Sequence, residues 1–254
     1  MDRTKIKAVI TGGASGLGQA VAEQWMADGA QVVLIDLNST QADSWMSAHS
    51  NDRLTFIQAD VTDEPAMEDA MQQAHAAMDG INVLVNCAGI LGPGRVLGKQ
   101  GPMPLENFSK TVMVNLIGSF NAAKAAAAWM QHNNQPDDNG VIINTASIAA
   151  FEGQIGQAAY SASKGGVVGM TLPMARELAR FQIRVMTIAP GVFHTPMVDG
   201  MTPEIQDSLS AAIPYPSRLG QAKEFAQLAG HIVDNQYLNG SVIRLDGAAR
   251  LTPK

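Results

Sequence analysis

Tyr160 and Lys164 stand four residues apart in YSASK, inside the apolar run GQAAYSASKGGVVGMTLPMARELA. If that run is helical, the phenol and the ammonium share a face. A free phenol ionises near pH 10 and is a poor base at neutrality. Bringing it to neutral pH takes about 4 kcal/mol, the size of one charge interaction at ~4 Å in an effective dielectric of ~20. The spacing therefore predicts a tyrosine lowered by its lysine toward a working acid/base. Taken alone, such a pair is more often a tyrosine with its hydroxyl in solvent beside a surface lysine, but two further polar groups accompany this one. Ser147 follows VIINTA, thirteen residues before Tyr160, and its hydroxyl can donate to a carbonyl oxygen beside the phenol. Asn115 interrupts the apolar run TVMVNLIG, where an amide can hold a water that passes a proton toward the lysine.

A second signal lies near the N-terminus. TGGASGLG follows the run IKAVI and opens the helix-like GLGQAVAEQWMADG. Gly12, Gly16 and Gly18 leave backbone N–H groups and the positive end of a helix free to face a pyrophosphate. The next apolar run, QVVLID, ends in Asp36. A carboxylate there accepts both hydroxyls of an adenosine ribose and repels a 2′-phosphate, and no Lys or Arg stands at Ser15, Leu37 or Asn38 to read one. The expected cofactor is NAD rather than NADP. The plainer reading of Asp36, a cap for a helix at 40–49, loses ground because Ser39 and Thr40 lie closer to that start.

Positioning these residues requires a particular scaffold. Short β-branched runs at 6–10, 31–36, 54–59, 82–86, 140–146, 183–189 and 241–245 alternate with helix-length segments. Strands apolar at consecutive positions are covered on both faces, and alternation with helices implies parallel pairing. The expected architecture is a doubly wound, mostly parallel α/β sheet of about seven strands with helices on both faces, in one domain over 1–254. Segment 91–104, LGPGRVLGKQGPMP, reads as a long loop after the fourth strand. Ligands of such sheets bind beyond the carboxyl ends of the strands, where Asp60-Val61, Asn86-Cys87-Ala88-Gly89 and Pro190-Gly191 fall. Asp60 also reads as a helix cap, and Cys87 as a small buried residue rather than a reactive thiol.

Composition narrows the classes. A chain of 254 residues, 46% hydrophobic, with a formal charge of −6 lacks the basic field of a nucleic-acid binder. One cysteine excludes an intrachain disulfide and suits a reducing compartment, so the expected location is cytoplasmic with no membrane partner. The five histidines show no paired metal-ligand spacing, and no metal is expected.

Taken together, Thr-Gly-x3-Gly-x-Gly, Asn-x-Ala-Gly, Asn, Ser, Tyr-x3-Lys and Pro-Gly, in this order and across nearly the whole chain, resemble the short-chain dehydrogenase/reductase family with its Rossmann fold. Cys87 replaces the second Asn of that family's Asn-Asn-Ala-Gly turn. The resemblance implies that Tyr160 is the acid/base, that Ser147 orients the carbonyl, and that Lys164 binds the nicotinamide ribose and lowers the tyrosine. It also places Asn115 in a proton relay. Around the glycine turn it implies cofactor contacts from Gly12, Ser15, Gly16, Leu17, Gly18 and Asp36. Further contacts are implied from Asp60, Val61, Asn86, Ala88 and Gly89, and from Pro190, Gly191, Val192 and Thr195 at the nicotinamide end. Runs such as INTASIAAFEGQIGQAAYSASK, PYPSRLG and LNGSVIRLDGAAR look very like the type II 3-hydroxyacyl-CoA dehydrogenases within that family. That closer likeness implies a substrate contact at Gln154 and an acyl-CoA thioester or related secondary alcohol as substrate. The small residues of NAAKAAAAWM at 121–130 and Gly165, Gly166 and Gly169 permit close helix packing, and the family resemblance implies that these two helices pair across a two-fold axis in a homotetramer. His194 stands where a small residue is expected and puts the pocket size in question. A 3-oxoacyl-carrier-protein reductase and a broad alcohol or hydroxysteroid dehydrogenase remain alternatives, as does a non-enzymatic NAD sensor or scaffold. The complete tetrad argues against the last, because binding NAD needs no acid/base tyrosine.

Overall fold

The computed structural model describes residues 1–49, 52–133, 138–199, 202 and 209–253. Seven strands form one sheet: β1 (Lys7–Thr11), β2 (Gln31–Asp36), β3 (Leu54–Gln58), β4 (Val83–Asn86), β5 (Gly140–Thr145), β6 (Ile183–Pro190) and β7 (Val242–Leu245). Each bound lies within one residue of the sequence expectation. Every pairing is parallel, in the order β7-β6-β5-β4-β1-β2-β3. The strand order reverses between β1 and β4, and a crevice opens at the carboxyl ends of those two strands.

The helices of eight residues or more among the described residues are α1 (Gly16–Ala27), α2 (Ser39–Ala48), α3 (Glu64–Met78), α4 (Leu105–Val112), α5 (Gly118–Met130), α6 (Ala158–Leu178) and α7 (Ala222–Asp234). Successive strand residues feed opposite layers, as the two-residue period of a strand requires. Ala8, Ile10, Val32 and Leu34 pack with Val21 and Trp25 of α1 and Phe225 of α7. Val9, Val33 and Ile35 pack with Met67 and Met71 of α3 and Ala122 and Ala126 of α5. Burial on both faces explains why these strands read as unbroken apolar runs.

Local chemistry sets the helix starts. Asn38, not Ser39 or Thr40, caps α2 by accepting from the Gln41 N–H at 3.1 Å. Asp63 caps α3 through the Ala66 N–H at 3.0 Å. Asp60 instead closes a turn, accepting from the Thr62 N–H and hydroxyl, both at 2.8 Å. Within segment 91–104, Leu97–Gly98 and Gly101–Pro102 form a small exposed antiparallel hairpin.

Candidate active site

The glycine turn is built by close approach. Gly12 has φ +64°, and a Cβ on it would lie 2.6 Å from the Ala88 nitrogen, so the turn after β1 touches the turn after β4. A Cβ on Gly18 would lie 2.5 Å from the Gly12 carbonyl oxygen. Any larger residue at either position would pry the turn away from α1 and β4. Ser15 sits at the N-cap of α1 in extended conformation, and its hydroxyl makes no capping bond among the described residues. Asp36 anchors the same turn: its carboxylate accepts from the Ala14 N–H and the Asn38 N–H, each at 3.1 Å. Those bonds fix the carboxylate at the end of β2, beside the glycine turn.

The floor of the crevice is a polar row in register. Thr11, Asn86, Asn144 and Thr187 face one another across β1, β4, β5 and β6. The Thr11 hydroxyl donates to Asn86 Oδ1 at 3.1 Å, while Asn86 Nδ2 donates to Asn144 Oδ1 at 2.9 Å and to the Ser119 carbonyl at 3.0 Å. The Asn86 side chain thereby ties the carboxyl ends of three strands together. Leu17 and Val61 also turn their side chains into the protein, Leu17 toward the α1–α7 core and Val61 against Gly118. Any contact from Leu17 or Val61 to a ligand is left to the backbone. Ala88 and Gly89 lie at the surface of this floor, and a Cβ on Gly89 would stand 3.2 Å from Asn115 Oδ1 and 3.6 Å from Lys164 Nζ.

Asn115 lies in a π-turn, Met113–Ile117, between α4 and α5 and is fully buried. Its Oδ1 accepts from the Ile90 N–H at 2.8 Å; its Nδ2 donates to the Ile90 carbonyl at 2.9 Å and to Ser163 Oγ at 3.0 Å. Both amide hydrogens are thus committed, so the side chain clamps the turn after β4 to α6, where the sequence suggested it would hold water.

Tyr160, Ser163 and Lys164 come from the first turns of α6. Lys164 is 4% exposed and donates to the Thr145 carbonyl, at the end of β5, at 2.7 Å. Burial pulls its ammonium down from the ordinary lysine value to about 8. Its Nζ is 5.8 Å from the Tyr160 ring centroid. The expected lowering of the tyrosine is corrected here: burial pushes the Tyr160 phenol above its ordinary value, and a hydrogen bond with Ser147 opposes that rise. The ammonium's hydrogen bond goes to the Thr145 carbonyl rather than to the phenol, and desolvation of the phenol wins. Ser147 caps the 3-10 turn Ile148–Ala150 by accepting from the Ala149 N–H at 3.1 Å, which aims its hydroxyl toward the phenol. Cys87 lies 3.6 Å from the Thr145 hydroxyl, and burial pushes its thiol up to about 11, as suits a packing residue.

Across the crevice, Pro190 ends β6, and a Cβ on Gly191 would lie 2.9 Å from the Asp246 Cα. Val192 packs near Ile148, and Thr195 approaches within 3.7 Å of where a Gly16 Cβ would be. His194 is exposed, on a two-residue parallel ribbon that pairs it with Gln221. Gln154 lies on the loop between Ser147 and α6. It lines a neighbouring cavity of about 550 Å³ with Val96, Leu97, Phe151 and Ile155, and donates to the Thr252 carbonyl at 3.2 Å. A larger cavity of about 830 Å³ lies at the opposite end of the sheet, around Lys7, Gln31 and Asn82 at or beside the strand starts, away from the tetrad. Sequence reasoning missed Thr11, Asn144, Thr145 and Ser163 as members of the site. The first two were detectable as polar residues recurring near the ends of otherwise apolar strands.

The profile of the short chain dehydrogenase family matches residues 7–206. The human protein named 3-hydroxyacyl-CoA dehydrogenase type-2 is 49% identical over 250 residues, covering 97% of this chain and 95% of that protein. Its bovine counterpart is 48% identical over the same shares. The crystal structure of 3-hydroxyacyl-CoA dehydrogenase type-2 from Mycobacterium avium superposes with a TM-score of 0.92 at 39% identity, covering 97% of this chain and 96% of that one. With its parallel sheet, glycine turn and Ser-Tyr-Lys cluster, this chain is an oxidoreductase that belongs to the short-chain dehydrogenase family.

Proposed function

We propose that the protein interconverts a secondary alcohol and a ketone with NAD, and that its substrate pair is a 3-hydroxyacyl-CoA and the matching 3-oxoacyl-CoA. The observation that carries the reading is the convergence of the Tyr160 phenol and the Ser147 hydroxyl beside a buried Lys164, next to a turn in which Gly12 and Gly18 admit no Cβ. The names of the relatives support the choice of substrate. The Gly12–Gly18 turn would receive the pyrophosphate and Asp36 the adenosine ribose, while Thr195 and Lys164 would meet the nicotinamide end. When bound, the nicotinamide supplies or accepts the hydride.

In the reducing direction Ser147 and Tyr160 both donate to the ketone oxygen, and Tyr160 passes its proton to that oxygen as the carbon gains hydride. A phenol pushed up by burial stays protonated at neutral pH and is ready to donate. In the oxidising direction Tyr160 must accept that proton, and the Lys164 ammonium favours the resulting phenolate. Asp36 weighs against an NADP-dependent carrier-protein reductase. A panel of short 3-hydroxyacyl-CoA thioesters, steroids and simple alcohols with NAD tests the reading. The highest kcat/KM is expected for the thioesters, and a flat or steroid-led ranking overturns the substrate assignment.

The homotetramer expected from the resemblance has support on the surface. Met113, Ile117 and Phe120 form an apolar stripe, 42%, 42% and 47% exposed, along the joined α4–α5 segment. Leu172 on α6 is 44% exposed, and a Cβ on Gly169 would meet nothing within 4 Å. Gly166 serves the interior instead, against Leu116. Two such faces are suited to self-complementary pairing about a two-fold axis. The cytoplasmic location and the single domain over 1–254 belong to the same proposal, the first resting on a chain with one cysteine.

A further inference from the structure

Beyond the tetrad, the densest ion-pair cluster among the described residues joins the loop after Ser147 to the C-terminal segment. Arg244, on β7, is its hub. The guanidinium donates to both Glu152 carboxylate oxygens, one at 3.0 Å and the other at shorter range. It also donates to Asp246 at 2.7 Å and to the Ala249 carbonyl at 3.1 Å, and lies 5.2 Å from the Phe151 ring centroid. Arg250 closes the set, 3.2 Å from Asp246 and 3.9 Å from Glu152. Bidentate pairing of this kind fixes direction as well as distance.

Backbone bonds extend the join. The Ile155 N–H donates to the Pro253 carbonyl at 3.0 Å, beside the Gln154–Thr252 bond. On its other side the same loop accepts, through the Gly156 carbonyl, from the Gly94 N–H at 2.9 Å, which couples it to segment 91–104. Ala249, 4% exposed, packs in a small cluster with Ile148, Val198 and Leu219. Residues 246–253 therefore hold the turn after Ser147, the wall of the 550 Å³ cavity and the segment beyond β6 to one support.

We propose that residues 246–253, anchored by Arg244, set the position of the 151–156 wall of the substrate cleft, and that Arg244 and Glu152 are positioning residues for the substrate. The substrate side of this inference rests on the oxidoreductase reading above. Glu152, held below the usual carboxylate range chiefly by Arg244, stays ionised and paired across the working pH range. The cluster lies apart from the glycine turn and Asp36, which would hold the adenosine half, and Asp246 backs Gly191 at the expected nicotinamide end, so its loss is felt more by the substrate than by the dinucleotide.

The test compares Arg244→Met, Arg244→Lys and Glu152→Gln with the wild type in reduction of acetoacetyl-CoA by NADH. Arg244→Met is expected to raise KM by about 10-fold with kcat within about 3-fold and NADH affinity less affected than KM, the signature of lost binding rather than lost chemistry. Arg244→Lys is expected to recover part of the KM, and Glu152→Gln to shift it the same way by less, which serves if Arg244→Met folds poorly. Hydrogen exchange at the Ile155 amide, which needs no substrate, is expected to speed up in Arg244→Met. An unaltered KM together with a lowered melting temperature would reduce the cluster to a structural brace and overturn the proposal. So would unaltered exchange at Ile155, even if the wild type proved inactive on the thioester and so refuted the substrate reading.

Discussion

Replacing Lys164 by Met should make the protein more stable and inactive. The ammonium is buried, and its one hydrogen bond among the described residues goes to the Thr145 carbonyl at 2.7 Å. Its folded-state value of about 8 lies below the 10.5 of an ordinary lysine. Between those values the unfolded chain binds more protons than the folded one, so stability rises with pH through that window and is lowest below pH 8. The gap corresponds to about 3 kcal/mol against holding the charge in place at neutral pH. Methionine fills a similar volume without charge but leaves the Thr145 carbonyl unpaired, returning about 1–2 kcal/mol of that gain. A net stabilisation of about 1–2 kcal/mol is expected at pH 7, or roughly 2–8 °C in Tm at ~2–4 °C per kcal/mol for a chain of this size. Urea unfolding at pH 7 and pH 10 measures it: the advantage of Lys164→Met should be present at pH 7 and shrink or reverse at pH 10. A variant less stable at pH 7, or a difference independent of pH, would refute the reasoning.

Other expectations follow from the same geometry. Wild-type kcat/KM should favour NADH over NADPH by more than about 10²-fold, and Asp36→Ala with Leu37→Arg should reverse it by removing a repulsive carboxylate and adding a phosphate partner; equal wild-type use of both would dismiss the role of Asp36. That double change also frees the Ala14 and Asn38 N–H groups, so Tm should fall by a few degrees in the same preparation. Phe120→Glu should split the oligomer, read by light scattering as a fall from about four times the 26.8 kDa chain mass; a wild type already at one chain mass would refute the interface. Ketone reduction with NADH should hold level from pH 6 to about 8, because the raised phenol stays protonated and Lys164 stays charged, and decline above; a fall beginning near pH 6 would mean an acidic tyrosine.

The sheet was legible because strands buried on both faces leave unbroken apolar runs, and their bounds follow within a residue. Asp36, Ser147, Tyr160 and Lys164 were legible for a related reason: polar residues near the end of an apolar strand, or four apart on a helix, stand out from their surroundings. What their side chains do once folded was harder to read. Lys164 was expected to act on the phenol, yet its bond goes to a backbone carbonyl on β5, and a carbonyl leaves no mark on residue identity. Asn115 was expected to hold water, yet both its amide hydrogens meet partners 25 and 48 residues away. The pairing of Arg244 with Glu152 spans 92 residues and depends on β7 closing the sheet beside β6. Such contacts are products of topology, and sequence spacing carries no trace of them.

The central claim is that Tyr160 moves the proton. Tyr160→Phe keeps the ring and its packing in α6 and deletes the hydroxyl alone. NADH affinity and single-turnover reduction of acetoacetyl-CoA, measured on one preparation, test the claim most directly. Affinity should be unchanged while the rate falls by at least ~10²-fold, the lower range for lost acid/base catalysis. Near-normal turnover with unchanged affinity would contradict the account and leave Tyr160 a packing residue.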